Sequence, residues 1–109
     1  MKVHELAAAM NLQTITEPNG DREIDGAYIG DLLSWVMGRA HSGNVWITIM
    51  SNINIVAVAT LVDAACIILA EGVTVEENVR SVAEAKGVNL FTSKQTAYEL
   101  AAKLAKLTA

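Results

Sequence analysis

From residue 45 onward the chain repeats one pattern, a short apolar run, a small polar loop and a helix-forming segment. Residues 45–50 are mostly β-branched and apolar, residues 64–69 are apolar throughout, and residues 88–92 close the series. Runs of about four to eight such residues bounded by polar loops read as strands buried on both faces. The intervening segments carry helix signals. Ser51-Asn52-Ile53-Asn54 offers an N-cap, at Asn54, to a helix over residues 55–61. Thr74, with Glu77 three residues later, is expected to form a capping box in which each side chain satisfies an amide of the first turn. Gly87 supplies the stop of that helix, and Ser93 is expected to cap a last helix through Leu107. A helix between two strands returns the chain to the start of the next one, so the strands pair in parallel through right-handed crossovers. The expected fold is α/β, a three-layer arrangement of about five mostly parallel strands with helices on both faces.

Upstream, residues 3–10 place Val3, Leu6, Ala7 and Met10 on one helical face, and residues 13–16 have the β-branched content of a strand. Glu17-Pro18-Asn19-Gly20-Asp21 is a turn, because proline sets its own φ and Asn-Gly tolerates positive φ. Residues 21–38, DREIDGAYIGDLLSWVMG, then cross from an alternating segment into an apolar helix. The alternation sets Ile24 inward and Asp25 outward, with Ala27 and Ile29 on one side and Tyr28 on the other. Asp31 stands where an N-cap belongs, ahead of a stripe of Leu32, Leu33, Trp35 and Val36. Trp35 suits either the core or an interface, whereas Trp46, between Val45 and Ile47, is expected in the core.

The same region carries a family resemblance. Asp21-Arg22, Gly26 and Asp31-Leu32-Leu33-Ser34 resemble the signature region of the DRTGG domain family. Val45-Trp46-Ile47-Thr48 and Asn54-Ile55-Val56-Ala57-Val58-Ala59 match that family in the same order, so the likeness covers residues 3–107. Two departures stand out. The naming motif reads Asp21-Arg22-Glu23-Ile24-Asp25-Gly26, keeping its first two residues and a displaced glycine, and relatives often have His-Pro where this chain has Asn52-Ile53. The resemblance implies an α/β domain related to the N-terminal domains of HPr kinase and of the Mur ligases. It also implies a regulatory role like that of the DRTGG domains of phosphotransacetylases and CBS-containing pyrophosphatases. Its signature residues in this chain are Asp21, Arg22, Gly26, Asp31 and Ser34.

Reactive constellations are sparse. The histidines are His4 and His41, and although His41 adjoins Ser42, adjacency in sequence does not orient a proton transfer. There is no Cys-x-x-Cys or His-x-x-x-His, and no Gly-Lys-Ser/Thr follows the glycines, so neither a transition-metal site nor the P-loop of a kinase is present. Asp21, Asp25 and Asp31 form the nearest acidic grouping, which reads as a solvated turn plus an N-cap or as a site for a hard cation, the former being simpler. No catalytic residue, metal or cofactor is therefore assigned. A ligand of a parallel sheet sits outside the carboxyl ends of the strands, where helix N-termini present free amides. That edge holds Ser51-Asn52-Ile53-Asn54, Glu71-Gly72-Val73-Thr74 and Thr92-Ser93-Lys94. Asn52, Asn54, Thr74 and Ser93 are thus the expected ligand residues for a nucleotide or phosphorylated metabolite, although helix capping alone also explains such residues.

Composition bears on partners. Hydrophobic residues make up 52% of the 109 and charged residues only 18%, too few to cover the surface of a lone small domain, so an apolar face paired with a second copy is expected. The net charge of −4 and eight Lys and Arg scattered along the chain exclude a phosphate-neutralising nucleic-acid surface. Cys66 lies in an apolar run without an internal partner, which suits the cytoplasm. Residues 53–70 are interrupted by Asn54 and Asp63, and no membrane span is expected. Residues 1–109 read as one domain. The leading expectation is a non-catalytic regulatory or assembly module acting as a homodimer, on a partner protein in trans; the alternative is a sensor of a small phosphorylated ligand.

Overall fold

The apolar runs become strands and the capped segments become the helices that cover them. The structure, a computed structural model, describes residues 1–108. Its elements are α1 (Val3–Ala9), β1 (Gln13–Thr16), β2 (Ala27–Ile29), α2 (Leu33–Arg39), β3 (Val45–Thr48), α3 (Asn54–Val62), β4 (Cys66–Leu69), α4 (Glu77–Ala85), β5 (Leu90–Thr92) and α5 (Ala97–Thr108). They build a five-stranded sheet in the order β1-β5-β4-β3-β2. Strands β2 to β5 are mutually parallel, and β1 joins β5 antiparallel at the edge.

Because the chain moves from β2 to β5 one neighbour at a time, right-handed crossovers put α2, α3 and α4 on a single face. There Val36, Ile55, Val56, Ala59, Val79 and Ala83 pack on Trp46, Ile67, Leu69 and Leu90. Strand side chains alternate, so the neighbours of those strand residues point the other way. Val45, Ile47, Cys66, Ile68 and Phe91 meet Val3, Leu6 and Met10 around α1 and Leu100 and Leu104 of α5. This is the expected three-layer α/β arrangement. Each fully buried Ile, Leu or Val contributes about 1.5–3 kcal/mol, which makes the two clusters the main source of stability.

Some local expectations hold. Gly87, at φ +73°, follows α4 in the left-handed region. It donates its N–H to the Glu84 carbonyl (3.2 Å), and Val88 N–H reaches back to the Ala83 carbonyl (2.9 Å). Trp46 is wholly buried, its indole N–H bonded to the Gly30 carbonyl at 2.9 Å.

Others are corrected. Thr74 and Glu77 do not form a capping box: α4 begins at Glu77 behind an extended Glu76, and Thr74 is exposed. Val73 and Val75 pack against the core on the α2–α4 side, and burying both holds the chain extended past the expected start. The box forms instead at α5. Thr96 N–H donates to Glu99 Oε1 (3.0 Å) and Glu99 N–H to Thr96 Oγ1 (3.2 Å), while Ser93 sits earlier and accepts from Gln95 N–H at 3.1 Å. Asn54 is the first residue of α3 rather than its cap, and its N–H is held by Asn52 Oδ1 (2.9 Å). Asp31 does not cap α2, which starts at Leu33 behind an extended Leu32. Its Oδ1 accepts from Thr48 Oγ1 (2.8 Å) and Ile49 N–H (2.9 Å), satisfying an amide just beyond the end of β3. The alternation expected in β2 holds, with Tyr28 packed inward and Ala27 and Ile29 together on the exposed side.

Candidate functional site

Neighbouring strands β4 and β5 lead into helices on opposite faces, α4 on one and α5 on the other. Their loops therefore part at the carboxyl ends of the strands, the place where open α/β sheets hold ligands. A crevice of about 700 Å³ lies there. Gly72 to Val75 form one wall, Thr92 to Gln95 the next, and Asn11, Gln13 and Ile15 at the sheet edge with Met10 and Lys103 complete it. The helices after β3 and β4, α3 and α4, by contrast share a face.

The two loops are fastened to one another. Glu71 (φ +66°) and Gly72 (φ +69°) are both left-handed. Glu71 N–H donates to the Gln95 carbonyl and Gly72 N–H to the Ser93 carbonyl, each at 2.9 Å. Ser93 N–H in turn reaches the Leu69 carbonyl at 2.9 Å. A left-handed non-glycine residue costs about 1–2 kcal/mol, so Glu71 keeps that conformation because these ties determine it. They also occupy the amides of Glu71, Gly72 and Ser93, three of those the sequence offered for an anion. Lys94 and Lys103 line the crevice, and among the described residues no Asp or Glu does.

Of the four expected ligand residues, Thr74 and Ser93 come together in this crevice. Asn54 instead lines a separate groove of about 490 Å³ between α3 and α4, with Ile53, Val56, Leu61, Val82 and Lys86, and Asn52 is taken up in fastening the start of α3. Sequence reading placed Lys94 in an edge loop without choosing it, and missed Lys103, Gln95 and Asn11. Lys94 directly follows the singled-out Ser93, but nothing local marks Lys103, which reaches the crevice only because α5 packs beside it.

The signature residues do not form one site. Arg22 donates from Nη1 and Nη2 to the two carboxylate oxygens of Asp63 (2.8 and 2.9 Å) and from Nη2 to the Asp63 carbonyl (3.0 Å). The Ser42 hydroxyl also donates to Asp63, at 2.6 Å. Arg22 and Ser42 together hold the Asp63 carboxyl down to about 2. Asp21 lies 3.6 Å from His4 Nε2. Gly26, at φ +71°, runs so near Asn44 that a Cβ there would stand 3.2 Å from Nδ2. That Nδ2 donates to the Asp25 carbonyl (2.7 Å), and Asn44 Oδ1 accepts from His41 N–H (2.8 Å). Asp21, Arg22 and Gly26 thus secure the amino end of the sheet, whereas Asp31 and an exposed Ser34 follow β2 at the carboxyl end. Among the described residues, no group of three or more His, Cys, Asp or Glu is placed to hold a metal ion. The buried Cys66 thiol is pushed up to about 12 by desolvation, far from a reactive thiolate.

A third feature is the free side of β2. Among the described residues β2 pairs only with β3. The face covered by α1 and α5 has its cluster over β3, β4 and β5, leaving Ile29 half exposed. Leu32 and Trp35 at α2, and Ile49 just after β3, are 58%, 52% and 46% exposed. Trp35 is therefore a surface residue, with the Arg39 guanidinium 3.7 Å above its ring.

No family model matches the sequence, and no curated protein does. Among solved structures, the chain is similar to the crystal structure of the CBS and DRTGG domains of the regulatory region of Clostridium perfringens pyrophosphatase, complexed with an activator, diadenosine tetraphosphate. The TM-score is 0.70 at 10% sequence identity, and the match covers 94% of this chain and 45% of that one. At that identity the likeness is one of fold, and it supports a DRTGG-like fold here. The neighbour is a regulatory region rather than a catalytic one. Among the described residues no helix is long and apolar enough to cross a membrane.

Proposed function

We propose that the protein is a non-catalytic regulatory or assembly module that works as a homodimer, resembling the regulatory DRTGG domains of phosphotransacetylases and CBS-containing pyrophosphatases. The observation that carries this reading is the open edge of β2, with Ile29 half exposed on it. An edge strand is self-complementary: about a two-fold axis its free amides and carbonyls pair antiparallel with those of a second copy. The same contact covers Ile29. Fold likeness to a regulatory region supports the regulatory half of the reading. In this reading residues 1–109 act as one cytoplasmic unit on a partner protein in trans. Light scattering at micromolar concentration is expected to return twice the monomer mass, unchanged by reductant because Cys66 is buried. A monomer mass would overturn the proposal.

A second reading, a sensor of a nucleotide or phosphorylated metabolite, is favoured by the crevice at the carboxyl edge. The two readings are compatible, since a ligand held by the β4–α4 and β5–α5 loops would bias what the module presents to its partner.

A further inference from the structure

The crevice between the β4–α4 and β5–α5 loops has walls of two chemical kinds. On one side Ile15, Val73 and Val75 are apolar; on the other, Lys94 and Lys103 bring positive charge. The chain carries 12 acidic residues against 8 basic ones, a net charge that disfavours anions. A lining with two lysines and, among the described residues, no carboxylate reverses that sign locally. Neither lysine belongs to an ion pair among the described residues. Glu99, one turn before Lys103 on α5, is held at the start of the helix, where its Oε1 accepts from the Thr96 amide and hydroxyl. The Ser93 hydroxyl accepts from Gln95 N–H, which leaves its own proton to donate.

These features constrain the ligand. A bare inorganic anion would engage the lysines and leave the valine wall wet. A purely apolar molecule would cover the valines and gain nothing from the charges. Two ammonium groups with a hydroxyl donor between loops match a dianionic head with several acceptor oxygens better than a single carboxylate. A volume of about 700 Å³ accommodates a molecule of nucleotide size. We propose that the crevice binds a phosphate ester, its phosphate met by Lys94, Lys103 and Ser93 and its apolar or planar body laid against Val73 and Val75. The proposal rests on the ligand-sensing reading and names the site and ligand class for it.

The test is an amide-resolved NMR titration of the full chain at low salt with 1-naphthyl phosphate and with AMP, against inorganic phosphate and 1-naphthol. Amides of Asn11, Gly72, Thr74, Ser93 and Gln95 are expected to move together with at least one phosphate ester, at an affinity roughly tenfold or more above that for inorganic phosphate or naphthol. The double variant Lys94→Ala, Lys103→Ala is expected to lose about tenfold or more in affinity while its spectrum elsewhere stays in place, and added salt is expected to weaken the wild type. Equal binding of inorganic phosphate would overturn the ligand class. Shifts confined to residues 21–34 or to the α3–α4 groove would overturn the site and leave ligand sensing standing. No shift with either ester would overturn both.

Discussion

Asp63 and Asn89 show how much of this fold rests on single polar side chains at the amino end of the sheet. The Asp63 carboxyl is lowered from 3.8 to about 2 by hydrogen bonds from Arg22 and Ser42. Its folded pKa lies below its unfolded one, so the interaction adds stability that is complete above about pH 4 and is lost as pH falls towards about 2. The side chain is 60% exposed, and solvent screening keeps the contribution below ~1 kcal/mol. Asp63 is also left-handed, at φ +58°, a conformation asparagine tolerates. Asp63→Asn is therefore expected to lower urea stability by that small amount near neutrality and by almost nothing near pH 2. Equal losses at both would assign the effect to the backbone turn. Asn89, 2% exposed, accepts from Asn19 N–H (2.9 Å) and donates to the Asn19 (2.8 Å) and Ala65 (2.9 Å) carbonyls. Asn89→Ala strands those groups and is expected to cost roughly 2–4 kcal/mol in urea unfolding; a loss below about 1 would mean water replaces the amide.

Two Thr-x-x-Glu patterns precede helices, and their neighbours decide which one caps. At Thr96 and Glu99 the reciprocal bonds form. At Thr74 and Glu77 they do not, because Val73 and Val75 pack inward and Glu77 pairs with Arg80 instead. Thr96→Ala is expected to cost about 1 kcal/mol, the usual loss of an N-cap hydroxyl. Thr74→Ala should fall within ~0.5 kcal/mol of wild type, as surface changes do. Parallel denaturant curves check both, and a reversed order would move the start of α4 back to residue 75. Asp31 belongs with these cases, since an acid written at a helix start serves the end of β3 instead.

At the scale of the whole molecule, three helices cover one face and two the other, so the sheet is left short of cover at β2. Placing a charge there is expected to keep the fold and lose the dimer. Ile29→Lys is the variant, because Ile29 is half exposed and its loss opens no core cavity. Circular dichroism should be unchanged while light scattering falls to the monomer mass. A dimer that survives the substitution would move the interface elsewhere, with the α3–α4 groove and its exposed Leu61 as the alternative face.

The α/β class, the parallel run from β3 to β5 and the burial of Trp46 were legible in the sequence, because apolar runs and helix stops are local and the core obeys their period. The candidate crevice was legible only in half. Thr74 and Ser93 line it as expected from position, because loops after parallel strands face one edge, whatever the strand order. Lys103 was not foreseen, since it reaches the crevice through the packing of α5 against the opposite face from α4. Asn52 and Asn54 do not line this crevice: α3 and α4 share a face, and Asn54 lines the groove between them. Local patterning determines which residues are strand, helix and core. The strand order, and the divergence of α4 and α5 that opens the crevice, come from contacts between elements distant in the chain, and only the tertiary structure decided them.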